Sequence, residues 1–387
     1  MKAEESLKRR RKALLSEMNE KGFDIAVFVC EKFEGSSSNF LYVAGEQHAS
    51  TLYGRENNVL IFDKNGRSTA IVPFWGVPEI EALGIYDQIV PIRQSIEEQA
   101  AEIGKSIKKF HGKGKIGLDL STMSASFALL LKHGLNVQLS DDVDIREIVY
   151  SLREIKDVYE ISETKKAVKI TEDAIVELAA ETKFGKRLED LKLMFQVHQT
   201  KKGAVWSPPP YLMFTRGGEP LRSGELTMFV RSQGVVKHDD LIGIDAGCKV
   251  NSGYHSDMCR MIPTTSDSKV KQFLNEAIAA HRDGEKSIRD GVLASDVYAE
   301  TNRISKQYGH GPTPRCGHQI GLCFHDDTSG PNFGPTDKKP LKKGMVMAYE
   351  TLHTDIKNRI TAYFEDEVLV EENGPKILNE LPWDFLW

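Results

Sequence analysis

Leu7, Leu14, Leu15 and Met18 recur at helical spacing among charged residues, and Gly22 follows as a stop. The pattern predicts an amphipathic helix over residues 4–22. Residues 24–30 (Asp-Ile-Ala-Val-Phe-Val-Cys) have the length and β-branched content of a buried strand. Residues 58–63 and 68–72 read as two strands of a hairpin, turned by Lys64-Asn65-Gly66. Helical patterns over 96–110 and 122–133 flank a strand at 115–118, so this half reads as a compact α/β domain ending near residue 150. Beyond it, long helical patterns cover 155–183 and 187–201. Trp206-Ser207-Pro208-Pro209-Pro210 must be loop or extended chain. Strands follow at 241–245 and, after a turn from Gly247 to Gly253, through Asp257 to Ile262. Helices at 269–283 and 295–307 and strands at 345–353 and 361–370 complete the pattern. Helices then paired strands, twice over, predict two αββ halves around one curved antiparallel sheet. The expected domains are 1–150, an α/β unit, and 151–387, an α+β unit.

Composition narrows the class. The 387 residues carry 40% hydrophobic and 28% charged side chains, with a formal net charge of −5. That balance suits a globular protein and gives no sign of nucleic-acid or anionic-membrane binding. Lys8-Arg9-Arg10-Arg11-Lys12 is basic but lies in the first helix and is read as a solvated face. Neither a secretory signal nor a membrane-length apolar run is present in the sequence. The five cysteines (Cys30, Cys248, Cys259, Cys316, Cys323) are odd in number and form no C-x-x-C pair. They point to a reducing, cytoplasmic setting and to small apolar wall residues rather than a disulfide framework.

The chemistry lies in the C-terminal half. Asp245, Asp257, His318, Glu350 and Glu365 each sit on a segment that reads as strand or strand edge. Four carboxylates and an imidazole brought together need cations to neutralise them. The oxygen-rich donor set, without thiolate, suits Mn²⁺, Co²⁺ or Zn²⁺, and bridging carboxylates would hold two such ions. Asp245 and Asp257 are twelve apart across a glycine-containing turn, and Glu350 and Glu365 are fifteen apart on two more strands. His318 lies between Gly317 and Gln319-Ile320-Gly321, where glycines let backbone approach a ligand closely.

These segments resemble the pita-bread metalloenzymes: methionine aminopeptidase, Xaa-Pro aminopeptidase, prolidase and creatinase-like proteins. The resemblance rests on Ile244-Asp245-Ala246-Gly247, Gly253 to Arg260, Gly317 to Leu322, Gly344 to Glu350 and Phe364 to Val368. It extends to Leu152 to Asp157 and to Asn39-Phe40-Leu41-Tyr42-Val43-Ala44-Gly45, which favours the two-domain, prolidase-like branch. The resemblance implies that Asp245 holds one metal, Asp257 and Glu365 bridge, and His318 and Glu350 complete the second. A hydroxide between the ions would attack a peptide or amide carbonyl. Glu350 would shuttle its proton, and His325 would contact the substrate carbonyl and stabilise the oxyanion. A homodimer acting on a small peptide or other small substrate is the implied assembly.

Several positions depart from the peptidases. The turn between the aspartates carries one extra residue, Pro314 and Tyr363 replace a usual histidine and arginine, and an upstream active-site histidine has no counterpart. Arg216, Arg222, Arg231 and Arg315 are candidates for a substrate carboxylate, although a solvated or structural role is the stronger reading for each taken singly. Trp206, Tyr211, Phe214 and Phe324 are candidate pocket walls or core residues. Two other functions compete: a non-peptidase enzyme on this scaffold, resembling dimethylsulfoniopropionate lyase or ectoine hydrolase, and an inactive binding module.

Overall fold

The computed structural model describes the chain apart from residues 31–37, 50–56, 93–94, 122, 136–140, 217–228, 231–232, 239, 327–329, 356–359 and 384–387. The side chains of residues 47, 49, 96, 141, 214–216 and 229–230 also lie outside the description. By internal packing the chain divides into two compact units, Met1–Arg153 with Asn251–Gly253, and Glu154–Val250 with Tyr254–Trp387.

In the N-terminal unit, five strands make one mixed sheet: β1 (Ile25–Cys30), β2 (Asn58–Asp63), β3 (Ser68–Pro73), β4 (Gln88–Ile92) and β5 (Ile116–Leu118). Their order is β4-β3-β2-β1-β5. Strands β1, β2 and β3 are buried at every position, which is why their sequences run apolar rather than alternate. Ile25, Val27, Val29, Val59, Ile61 and Ile71 pack with Ile103 and Leu131 of helices Ile96–Ser106 and Ala125–Leu135. The hairpin closes as its sequence predicts: the Gly66 amide donates to the Asp63 carbonyl (2.9 Å), and Gly66 sits at φ 88°. Only glycine or an Asn-like residue takes that conformation cheaply. Strand β4 escaped the pattern because it is a largely unburied strand containing Pro91, at the end of the sheet order and, among the described residues, paired only with β3.

Within the basic cluster Lys8 and Lys12 are exposed, in line with a solvated face, whereas Arg10 and Arg11 turn inward. Arg10 is 3% exposed, and Arg11 donates to the carbonyls of Val43 and Ile85 while its guanidinium stacks on Phe62 and Tyr86. Planar guanidinium groups tolerate such burial where carbonyls and rings receive them.

In the C-terminal unit the strands are β6 (Tyr211–Arg216), β7 (Phe229–Val230), β8 (Asp240–Ala246), β9 (Met258–Pro263), β10 (Gly317–Gln319), β11 (Val346–Asp355), β12 (Ile360–Glu371) and β13 (Gly374–Ile377). They form an antiparallel sheet in the order β10-β11-β12-β9-β8-β6-β7, with β13 beside β12. Helix Val158–Glu181 buries Val168, Ile175 and Leu178 against Ile242, Ile244 and Ile262. Helix Ser268–Glu285 buries Val270, Phe273 and Leu274 against Ala362 and Phe364. Each such side chain contributes roughly 1.5–3 kcal/mol by leaving water. The opposite parity carries Asp245, Glu350 and Glu365 together with apolar Leu241, Met261 and Leu352.

The helical pattern predicted from 155 starts later, because Asp157 caps the helix by accepting from the Glu160 amide and Glu160 reaches back to the Asp157 amide. Asp257 lies just ahead of β9 rather than within a strand.

Candidate metal centre

Cross-strand register brings the acidic residues into line. Glu350 of β11 pairs with Glu365 of β12, Glu365 pairs with Cys259 of β9, and Cys259 pairs with Asp245 of β8. Directly paired residues on antiparallel strands point to the same face, so one row across four strands carries Glu350, Glu365, Cys259 and Asp245. Asp257, just ahead of β9, reaches the same place, its ligand atom lying within 4.8 Å of those of Asp245 and Glu365. His318 pairs with Ala348, two residues from Glu350, and joins from the next strand. Gly317 makes this approach possible: it sits at φ +134°, and a Cβ there would lie 2.0 Å from the Ala348 carbonyl oxygen.

Two sets of potential ligand atoms form on this face. Asp245, Asp257 and Glu365 make one, and Asp257, His318 and His325 make the other, each with its atoms within 4.8 Å of one another. Asp257 belongs to both. His318 Nε2 lies 3.8 Å from both Asp257 Oδ2 and Glu365 Oε1. Its Nδ1 is 2.9 Å from the Gln319 carbonyl. A carbonyl only accepts, so Nδ1 carries the proton and the Nε2 lone pair faces the acids. The rings of His318 and His325 stack at 3.9 Å and 18°.

The electrostatics fit cation binding. Burial, then the charge of Glu350, pushes Asp245 up to about 7. Burial, then Asp245, pushes Asp257 well up, and burial, then Asp257 and Asp245, does the same to Glu365. Burial and the neighbouring His325 lower His318 to about 4, which keeps the imidazole neutral and able to ligate. These carboxylates raise one another's proton affinity, and a divalent cation removes that conflict.

Glu350 is placed differently. Arg315 Nε donates to its Oε1 (3.0 Å), and the Tyr363 hydroxyl donates to its Oε2. Glu350 joins neither ligand set, although its charge acts on Asp245, Asp257 and Glu365. Nearby, Trp206, His255 and Phe324 form a ring cluster, with centroids 4.8–5.9 Å apart. Tyr211, 64% exposed, pairs with Asp245 across β6 and β8. Cys248, Cys259 and Cys316 are buried and Cys323 is half-buried.

The family model of metallopeptidase family M24 matches residues 162–372, more than half of the chain. The chain belongs to metallopeptidase family M24. The creatinase/prolidase N-terminal domain matches residues 10–155. The chain is 28% identical over 268 residues to the Xaa-Pro dipeptidase of Pyrococcus furiosus, covering 68% of this chain and 74% of that protein. It is 25% identical over 308 residues to the Xaa-Pro dipeptidase of Pyrococcus horikoshii, covering 79% and 83%. A solved Xaa-Pro dipeptidase from Bacillus anthracis superposes with a TM-score of 0.79 at 22% identity, over 98% of this chain and 99% of that one. That likeness shows the shared two-domain fold, with the pita-bread sheet in its C-terminal half.

Membership of family M24 makes this protein a metal-dependent hydrolase that uses divalent metal ions. Among the described residues no helix is long and apolar enough to cross a membrane. Of the candidate arginines, Arg315 lies at the centre, while Arg222 and Arg231, and the side chains of Arg216 and Phe214, lie outside the described residues. Sequence reasoning missed three groups. Tyr363 stood out only as a lost arginine, yet its hydroxyl holds Glu350. Glu367 accepts the Asp257 amide (2.6 Å), and its position two residues after Glu365 on a strand was the available signal. His281, Glu285 and Asp366 form a third compact group behind the sheet. There Arg260 and His281 outweigh burial and hold Asp366 well below the ordinary carboxylate range, so its charge is balanced within the protein.

Proposed function

We propose that this protein is a dinuclear hydrolase of Xaa-Pro-type peptides, with Asp245, Asp257, His318, Glu350 and Glu365 holding two divalent ions. The observation that carries the reading is the convergence of Asp245, Asp257, Glu365 and His318 at one place on the sheet, with Glu350 paired beside Glu365. Domains 1–150 and 151–387, a homodimer and a cytoplasmic location go with it, and sedimentation velocity tests the dimer.

Bound divalent ions supply Lewis acidity and make a bound water acidic near neutral pH. The chain's own residues do the rest. Arg315 and Tyr363 fix the Glu350 carboxylate, which takes the proton from the nucleophile and returns it to the leaving amine. His325, exposed and stacked on His318, donates to the substrate carbonyl oxygen as charge develops there. Trp206 and Phe324 offer apolar contact for a small side chain. The test is chelated protein reconstituted with Mn²⁺ or Co²⁺ and assayed on Xaa-Pro dipeptides and longer peptides. Metal-dependent release of the N-terminal residue is expected. Full metal occupancy without turnover of any of these peptides refutes the proposal.

A further inference from the structure

The face of the sheet opposite the acidic row holds two buried imidazoles, His281 and His353, which share the Thr351 hydroxyl, and His281 is the one that links β11 to β12. Side chains alternate along a strand, so the residues flanking the Glu350–Glu365 pair, namely Tyr349, Thr351, Phe364 and Asp366, point to the back. All four meet His281 of helix Ser268–Glu285. Its Nδ1 is 2.7 Å from the Thr351 hydroxyl and its Nε2 is 3.1 Å from Asp366 Oδ2. Its ring lies 4.8 Å from Tyr349 and 6.0 Å from Phe364. His281 is fully buried. With Asp366 ionised, Nε2–H donates to the carboxylate and Nδ1 accepts from Thr351, which fixes both the tautomer and the ring plane.

Asp366 is gripped from its other oxygen by Arg260, which also donates to the Cys259 carbonyl (2.9 Å) and the Glu365 carbonyl (3.0 Å). The location of those two carbonyls matters. Strands β9 and β12 are paired at a single position, Glu365 with Cys259. That seam joins the two halves of the sheet, and the acidic row crosses it between Glu365 and Asp245. Backbone pairing there is at its thinnest, and the Arg260 guanidinium supplies the hydrogen bonds a longer ladder would otherwise provide.

We propose that Arg260, Asp366 and His281 are positioning residues that set the metal centre from behind, with His281 fixing the Glu350–Glu365 spacing and Arg260 fixing the β9–β12 seam. The inference rests on the reading that the acidic row holds metal. None of the three groups needs to touch substrate or ion. Their effect is on the relative placement of carboxylates that must converge within a fraction of an ångström.

The test uses metal alone as the probe. Chelated wild-type, His281→Leu and Thr351→Val proteins are titrated with Mn²⁺ by calorimetry and with Co²⁺ by visible absorption, and their metal-free thermal unfolding is compared. Thr351→Val keeps the shape and removes the hydroxyl's two hydrogen bonds, to His281 and to His353, so it remains informative if a His281 variant does not fold. The expected result is a roughly 10- to 100-fold weaker Mn²⁺ affinity, with an altered Co²⁺ spectrum, in variants whose metal-free unfolding stays near wild type. His281→Gln, whose amide N–H can still donate toward Asp366, is expected to recover part of the affinity. Wild-type affinity and spectrum in the folded variants overturn the positioning role. Failure of the wild-type protein to bind either ion overturns the metal reading itself, a distinct outcome.

Discussion

Asp257→Asn separates stability from metal binding in opposite directions. The ligand atoms of Asp245, Asp257 and Glu365 lie within 4.8 Å of one another. Two unit charges at that distance repel by about 3.5 kcal/mol at an effective dielectric near 20. Three ionised carboxylates therefore carry about 10 kcal/mol of mutual repulsion in the absence of cations. Asparagine at 257 removes two of the three pairs, about 7 kcal/mol if all three carboxyls are ionised. The carboxyls escape much of that by retaining protons, as their upward shifts show, so a gain of about 1–3 kcal/mol is expected at pH 8. The change is close to isosteric, and the backbone amide bond from residue 257 to Glu367 survives it. At about 2–4 °C per kcal/mol for a unit of this size, the C-terminal transition should rise by about 2–12 °C in chelator. Added Mn²⁺ should stabilise the wild type further and leave the variant unmoved, because both ligand sets lose a shared oxygen. Thermal unfolding with and without Mn²⁺, alongside a calorimetric titration, reads both effects. A variant less stable than wild type in chelator, or one with wild-type Mn²⁺ affinity, refutes the argument.

Tyr363→Phe removes the hydroxyl that holds Glu350 and should lower kcat about tenfold while costing about 1 kcal/mol of stability; unchanged kcat would separate Glu350 orientation from turnover. Gly317→Ala places a Cβ 2.0 Å from the Ala348 oxygen at φ +134°, so a loss of about 3 kcal/mol or more and of His318-dependent metal binding is expected in unfolding and titration experiments. In the N-terminal unit, burial lowers His48 to about 4. The unfolded imidazole takes up its proton near 6.5, so stability should fall by about 3 kcal/mol as pH drops from 6.5 to 4 and level off below that. Urea titrations across this range should show that slope, and His48→Phe, which retains the ring packing on Phe40 and Tyr86, should flatten it.

The sequence by itself determined the elements and the identities of the acidic residues. Helical periodicity located the long helices to within a few residues, and β-branched runs located the buried strands, because those patterns express local geometry and one-sided burial. The spacing of Asp245 to Asp257 and of Glu350 to Glu365 already required two hairpin-like returns. The tertiary structure alone decided which residues surround them. Nothing local distinguishes Tyr363 from any strand tyrosine, or His281 from any helix histidine. Their partners, Glu350 for one and Thr351 and Asp366 for the other, come from separate strands or from a separate element. The same holds for Arg10 and Arg11, whose charge predicted solvent while carbonyls and rings from distant segments took them inside. Periodicity records which side of an element is buried. Only the register between strands and the packing of helices onto them fixes which polar groups meet, since a one-residue slip in either would exchange every contact across the sheet.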